Sequence, residues 1–250
     1  MRISFLGGGR VVRIILGGLK RADELPGNVT VCDPDEDALR TIEDEFGVET
    51  SQDCMNIDGD VIFLAVHPPI LRDLLEMMES PDPRSIVVSL APRISIHEIQ
   101  EALSHQRVVR VIPNAPSIVN RGYNPFSPAD ELTETDRKTL RSIFEPLGEF
   151  PEVSEDELEA YAVITAMGPT YLWFQLRELE VLGMEFGMDS QEAAAAVHSM
   201  AAGAVEALYT YSKSDDVMDL IPVKPLKDSE DDIRAIYHEK LRSLYRSLKE

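Results

Sequence analysis

The chain has 250 residues, long enough for two packed units and too long for one small core. Hydrophobic residues at 44% and charged residues at 28% are ordinary globular usage, which excludes a disordered, collagen-like or coiled-coil chain. Its 24 Lys and Arg against 45 Asp and Glu leave a formal charge of −21, a field that repels phosphate backbones and anionic lipid, so neither nucleic acid nor a membrane surface is an expected partner.

In chain order, the first half alternates short apolar runs with helical patterns, the signature of strands and crossover helices feeding a parallel sheet. Strands are expected at Ile3 to Leu6, Asn28 to Cys32, Val61 to Val66, Ile86 to Leu90 and Val108 to Ile112. These runs are apolar on both faces, as buried parallel strands must be. Helices are expected at Arg10 to Lys20, Asp35 to Phe46, Ile70 to Met78 and Ile96 to Leu103, and Thr133, with Asp136 three residues on, starts another that runs to Leu147.

After Pro151 the texture changes to long helical windows: Glu157 to Gly187, Ser190 to Tyr211 and Glu230 to Lys249. Ser190 is the expected cap of the middle window, whose Ala193, Ala194, Ala196, Val197, Met200, Ala201, Ala204 and Leu208 form a small-residue stripe. The last window sets Ile233, Ile236, Tyr237, Leu241, Leu244, Tyr245 and Leu248 on one face. Such faces call for cover, either by packing on the first domain or, as the favoured expectation, from a partner subunit. The intervening stretch from Tyr211 to Asp232 is expected to be a long loop. The expected fold is therefore α/β: a Rossmann-type doubly wound sheet over residues 1–153, followed by an all-helical dimerisation and substrate domain over 154–250.

Cys32 and Cys54 cannot staple a chain of this size, and no Cys-x-x-Cys or His-x-x-x-His spacing offers a metal site. Gly7-Gly8-Gly9, followed by Arg10 and Arg13, interrupts any secretory signal, and no run approaches the roughly 18 apolar residues of a spanning helix. A soluble, cytoplasmic protein is expected.

Gly7-Gly8-Gly9 follows a strand and opens a helix, where glycines permit a tight turn and let N–H groups at the helix start approach a pyrophosphate. The third small residue of a Gly-x-Gly-x-x-Gly pattern falls at Val12, which is bulkier than that pattern asks. Asp33, at the end of the second strand, can accept hydrogen bonds from ribose hydroxyls and would repel a 2′-phosphate, which favours NADH. Arg10, beside the loop, pulls the other way because a guanidinium pairs with phosphate. Three more strand-end segments fall where a doubly wound sheet has its crevice: Ala65-Val66-His67-Pro68-Pro69, Ser89-Leu90-Ala91-Pro92-Arg93-Ile94 and Arg110-Val111-Ile112-Pro113-Asn114-Ala115-Pro116.

These segments resemble the pyrroline-5-carboxylate reductase family. It carries Gly-x-Gly-Asn-Met-Ala in the first loop, Ala-Val-Lys-Pro after the third main strand, and Arg-Val-Met-Pro-Asn-Thr-Pro followed shortly by a glycine, the place of Gly122 here. The likeness runs over roughly residues 1 to 210, through Gly168-Pro169-Thr170-Tyr171 and the alanine-rich helix. It implies a nicotinamide-dependent oxidoreductase, using NAD(P)H to transfer hydride to a cyclic imine and give proline, built as a homodimer or higher homo-oligomer through its helical domain. By position it implies that Gly7, Gly9, Arg10, Val11 and Val12 face the pyrophosphate, and that Ala65, Val66, His67 and Pro68 run beside the ribose and nicotinamide. Asn114 would lie near nicotinamide and substrate, with Thr165 and Tyr171 completing the catalytic set.

His67 stands where the family has Lys, and Thr165, Ala166 and Met167 stand where it has Ser-Gly-Ser. In place of the family's Ser-Pro-Gly-Gly-Thr-Thr loop the chain has Leu220-Ile221-Pro222-Val223-Lys224-Pro225-Leu226, with Lys224 as a carboxylate-binding candidate. Two other readings fit parts of the pattern. A non-catalytic dinucleotide-binding regulator would keep the sheet and lose the substrate loop. A β-hydroxyacid dehydrogenase shares the plan but uses a lysine on the first long helix of its second domain, and 158–188 contains none.

Overall fold

The apolar runs of the first half become strands wherever both faces are covered. The computed structural model describes residues 1–55, 57–211 and 217–249. It begins with β1 (Ile3–Leu6) and α1 (Arg10–Arg21), which buries Val12, Ile15, Leu16 and Leu19. There follow β2 (Val29–Cys32), α2 (Glu36–Phe46), β3 (Glu49–Ser51), β4 (Val61–Leu64), α3 (Pro68–Met77), β5 (Ile86–Ser89), α4 (Ile96–Leu103) and β6 (Val108–Val111). Every residue of β1, β4, β5 and β6 is buried, the environment that their two-faced apolar sequence requires.

Among the described residues the main sheet has the strand order β3-β2-β1-β4-β5-β6, while β7 (Gly122–Tyr123) pairs apart from it with β9 (Gly148–Glu149), and β8 (Phe126–Pro128) is added antiparallel to β6, the rest being parallel. The order reverses between β1 and β4, which sets the switch point of a doubly wound sheet at their carboxyl ends. The register levels those ends, pairing Leu6 with Cys32 on one side and with Leu64 on the other. Gly7, Asp33, Ala65 and Leu90 therefore leave the sheet in one row, tied by the Gly7 N–H to the Cys32 carbonyl (2.7 Å), Ala65 N–H to Leu6 (2.8 Å) and Leu90 N–H to Leu64 (3.0 Å).

The helix starts follow their capping residues. Asp35 accepts from the Asp37 and Ala38 amides, and Ser95 with Glu98 forms a reciprocal box on α4. Thr133 with Asp136 does the same on α5 (Glu134–Phe144), which ends in a 3-10 turn at Glu145–Leu147. Beneath the sheet, Phe5 stacks on Phe63 (4.5 Å between ring centres), and Phe126, Phe150 and Phe144 stack in a column at 4.0 and 4.6 Å. Aromatic pairs of this kind contribute roughly 0.5–1.5 kcal/mol each beyond their burial.

By contact the chain divides into Met1–Met167, joined by the last residues from Tyr245, and Gly168–Leu244. The break is at Gly168 and not at the expected 153/154, because residues 154–166 pack on the first unit. A 3-10 turn (Glu155–Glu157), α6 (Leu158–Tyr161) and a π turn (Ala162–Ala166) replace the start of the expected long helix. Leu158 and Ala162 bury against Ile112, and Glu155 and Glu159 pair with Arg110.

In the second unit α7 (Gly168–Glu185) and α8 (Ser190–Thr210) form a hairpin. The expected cap at Ser190 moves one residue back: Asp189 accepts from the Gln191 and Glu192 amides, and Ser190 is the first helical residue. Of the alanine stripe only Ala193 is buried, facing Gly183 so closely that a Cβ there would sit 3.3 Å from the alanine Cβ. The final helix, α9 (Glu230–Lys249), follows a 3-10 turn at Lys227–Ser229. Part of the expected loop from Tyr211, residues 212–216, lies outside the described residues. No described helix is long and apolar enough to cross a membrane.

Candidate active site

A groove of about 380 Å³ opens at the switch point. Its floor is the row of strand ends: Gly7 from β1, Asp33 from β2, Ala65, Val66 and His67 from β4, and Leu90, Ala91 and Pro92 from β5. Gly9, Arg10 and Val11 of α1 and Pro68 and Ile70 of α3 form its rims. Nine residues expected to meet a cofactor thus share one cavity: Gly7, Gly9, Arg10, Val11, Asp33, Ala65, Val66, His67 and Pro68. Ile70 and the Leu90–Pro92 wall are additions. The second of these was visible in the sequence as a strand end without an assigned role.

Gly7 has φ +104, and a Cβ there would sit 2.8 Å from both the Ala65 carbonyl oxygen and Val66 Cγ1. The turn exists only because residue 7 has no side chain. Gly9 is the N-cap of α1, has no side-chain cap to offer, and a Cβ there would meet nothing within 4 Å. The first turn of α1 carries no acidic residue. Its leading N–H groups therefore have neither a side-chain cap nor an acidic residue of the helix's own first turn, and the positive end of the helix dipole faces the groove. An anion of pyrophosphate shape fits this cradle.

Asp33 has two hydrogen bonds of its own: Oδ2 accepts the Gly8 amide at 2.6 Å and Oδ1 accepts the Asp35 amide at 2.9 Å. It is both the turn residue of Asp33-Pro34-Asp35 and part of the groove lining. Behind it lie Cys32 and Cys54, which are both free. Burial pushes both thiols up, Cys54 to about 12, with Cys32 and then the Asp33 and Asp53 charges adding to the effect on Cys54. They stay protonated near neutral pH and offer no nucleophile.

The remaining expected site residues are placed differently. The Val12 side chain is fully buried under α1 and does not line the groove, so it has only its backbone N–H to offer a ligand. The bulk by which Val12 departs from the Gly-x-Gly-x-x-Gly pattern is thus used in packing on the sheet. Asn114 is buried, with Oδ1 accepting the Tyr123 amide at 3.1 Å and Nδ2 donating to the Thr165 carbonyl at 3.3 Å. Ser117 and Asn124 close the same turn, Ser117 Oγ lying 2.8 Å from Asn124 Oδ1. Thr165, in the π turn, spends its hydroxyl on the Tyr161 carbonyl (2.8 Å). Asn114 and Thr165 are thus in contact in the first unit. Tyr171 belongs to the second unit, where it meets the Tyr237 ring edge-on at 6.1 Å. Lys224 pairs with Asp219 at 3.1 Å.

Residues 2–93 match the family model described as NADP oxidoreductase, coenzyme F420-dependent. Over 197 residues the chain is 29% identical to the pyrroline-5-carboxylate reductase of Escherichia coli K12, an alignment spanning 77% of this chain and 73% of that one. It is similar to the structure of a pyrroline-5-carboxylate reductase from Coxiella burnetii, at 26% identity and a TM-score of 0.68, over 99% of this chain and 94% of the other. A crystal structure of the pyrroline carboxylate reductase of Plasmodium falciparum with NADP bound shares the fold with a TM-score of 0.84 at 18% identity, covering 100% and 97% of the two chains.

Proposed function

We propose that the chain is a member of the pyrroline-5-carboxylate reductase family, which its likeness to those enzymes supports, and that it is an NAD(P)H-dependent oxidoreductase that reduces the C=N bond of a small cyclic imine acid, with pyrroline-5-carboxylate as substrate and proline as product. The observation that carries this reading is the meeting of the glycine turn, the uncapped start of α1 and Asp33 at the sheet's switch point. A bound nicotinamide supplies the hydride. The chain's task is then alignment and exclusion of water, because a protonated imine is already electrophilic and asks for no acid–base pair of the protein.

In this reading the N–H groups of Gly9, Arg10, Val11 and Val12 hold the pyrophosphate, with the Arg10 guanidinium beside it. Asp33 accepts the ribose hydroxyls, and its charge disfavours a 2′-phosphate, so NADH is the preferred cofactor. Ala65, Val66, His67 and Pro68 flank the nicotinamide ribose. Asn114 and Thr165 serve the substrate side, as a braced turn that limits where the imine can sit. The first unit is the dinucleotide-binding part, and the helical part forms a homodimer. That assembly is supported by the apolar side chains that the helical unit leaves open, among them Phe174 at 67% and Phe186 at 80% exposure in the single chain. The low cysteine count and unpaired thiols fit a cytoplasmic setting.

The test is consumption of NADH and, separately, NADPH by the purified protein with pyrroline-5-carboxylate. Loss of reduced cofactor in proportion to the imine added supports the reading, faster with NADH. Binding of cofactor with no consumption would assign the chain to the regulatory class instead.

A further inference from the structure

We propose that Arg110, together with Glu155 and Glu159, acts as a positioning clamp that sets the Leu90–Pro92 wall of the groove and so the placement of the cofactor's reactive end. This rests on the reading of the groove as a nicotinamide site.

Arg110 lies near the end of β6 with its side chain only 4% exposed. Nη1 donates to Glu155 Oε1 at 3.0 Å and Nη2 to Glu159 Oε1 at 2.6 Å. The same two carboxylate oxygens reach the loop between β5 and α4. Glu155 Oε1 accepts the Ile96 amide at 2.7 Å, and Glu159 Oε1 accepts the Arg93 amide at 3.4 Å. Arg93 is held in the left-handed region at φ +70, which a residue with a long side chain rarely adopts. From its other side, Arg72 Nη2 donates to the Arg93 carbonyl at 3.3 Å. The backbone immediately after the Leu90–Pro92 wall is therefore gripped at its N–H, at its carbonyl and again at Ile96.

Two features argue that this cluster serves geometry and not stability. Burying the Arg110 guanidinium with the Glu159 carboxylate, Glu155 being half-buried at the edge, gains little net free energy, because desolvation offsets the attraction. Arg110 Nε is buried with no hydrogen-bond partner, a loss that an apolar residue of the same size would not suffer. What the cluster does accomplish is to join β6, the 155–159 segment and the β5–α4 loop around one guanidinium. The 155–159 segment continues into Thr165, whose carbonyl takes the Asn114 amide. One charge cluster thus fixes the groove wall and braces the Asn114 turn.

The test uses full-length Glu159→Gln and Arg110→Met, with Arg110→Lys as the conservative variant. Amide hydrogen exchange of residues 90–96 is followed in the cofactor-free protein, and NADH affinity and steady-state constants are measured well below each variant's Tm. Glu159→Gln and Arg110→Met are expected to speed exchange at 90–96 by about tenfold while the strands keep their protection. NADH affinity should weaken by about tenfold and kcat should fall with it, with Arg110→Lys between these and the parent. Should Arg110→Met fail to fold, Glu159→Gln decides alone, since it keeps the side chain's size and one oxygen acceptor. Exchange at 90–96 and NADH affinity both unchanged in a variant with a lowered Tm would overturn the clamp and leave a purely structural cluster. Faster exchange in a protein whose parent never binds NADH would instead sink the proposed function and keep the clamp.

Discussion

Asp33 Oδ2 accepts a hydrogen bond from the Gly8 amide at 2.6 Å, so the acid that ends β2 also closes the glycine loop that ends β1. One carboxylate therefore shapes the glycine loop and presents charge to the groove. Substitutions can separate these roles. Asp33→Asn keeps an oxygen for Gly8 and removes the charge, whereas Asp33→Ser removes the charge and leaves one hydroxyl on a shorter side chain in place of the two oxygens that Gly8 and Asp35 use. Both variants are expected to shift the ratio of NADPH to NADH affinity toward NADPH, and Asp33→Ser should in addition weaken NADH binding by about tenfold, as loss of hydrogen bonds to a charged acceptor implies. Fluorescence titration of each cofactor measures the ratio. No change in it would remove Asp33 from ribose recognition.

Gly7 and Gly9 are expected to respond differently to the same change. At Gly7 an alanine would clash with the Ala65 carbonyl in a backbone conformation open only to glycine. Gly7→Ala should cost about 2 kcal/mol or more in urea unfolding. Gly9 has an ordinary extended backbone with open space beyond it. Gly9→Ala should cost about 1 kcal/mol or less and still weaken NADH binding by about tenfold, because its Cβ points into the space an anion at the α1 start requires. A Gly9→Ala protein with parental NADH affinity would mean that the pyrophosphate lies elsewhere.

His105 is 3% exposed, and its ring Nε2 lies 3.0 Å from the Ser85 carbonyl, to which the neutral tautomer donates. Burial pushes its pKa below the ordinary 6.5 against the opposing pull of that carbonyl, and Arg107 adds to the lowering. The unfolded chain therefore binds the proton more readily. The stability this neutral histidine allows is complete above about pH 6.5 and is lost as pH falls toward the folded value. The urea midpoint is expected to drop between about pH 7 and pH 5, and His105→Gln, which still offers Ser85 a donor, should flatten that drop. Parallel curves for the two proteins would assign the acid sensitivity to other groups.

Phe174 and Phe186 are open in the single chain, as are most of the alanines of α8. Sedimentation is expected to show two chains per particle or a closed multiple of two, and Phe186→Asp should shift the particle toward single chains. A monomer at micromolar concentration would leave these side chains without the proposed cover.

The groove at the switch point was legible because its signals are local. Gly7-Gly8-Gly9 directly follows the apolar run Ile3–Leu6, Asp33 ends the next run, and Thr133 is followed three residues later by Asp136. Strands β3, β8 and the short pair β7 (Gly122–Tyr123) and β9 (Gly148–Glu149) were not legible, since runs of two or three residues are too short for a period to show. The unit boundary was missed for a different reason. It depends on Arg110 finding Glu155 and Glu159 across more than forty residues of chain, which no local pattern encodes. Asn114 shows both sides at once: its place between two prolines was readable, but not that Tyr123 and Thr165 would occupy its amide.

The most direct test follows the hydrogen itself. Purified protein is given pyrroline-5-carboxylate and NADH deuterated at the transferable position of nicotinamide C4, and the proline formed is examined by mass spectrometry. Proline carrying one deuterium per molecule, formed in step with NADH loss and abolished in Gly7→Ala, is the expected result. Bound NADH with no labelled proline at any substrate concentration would contradict the account.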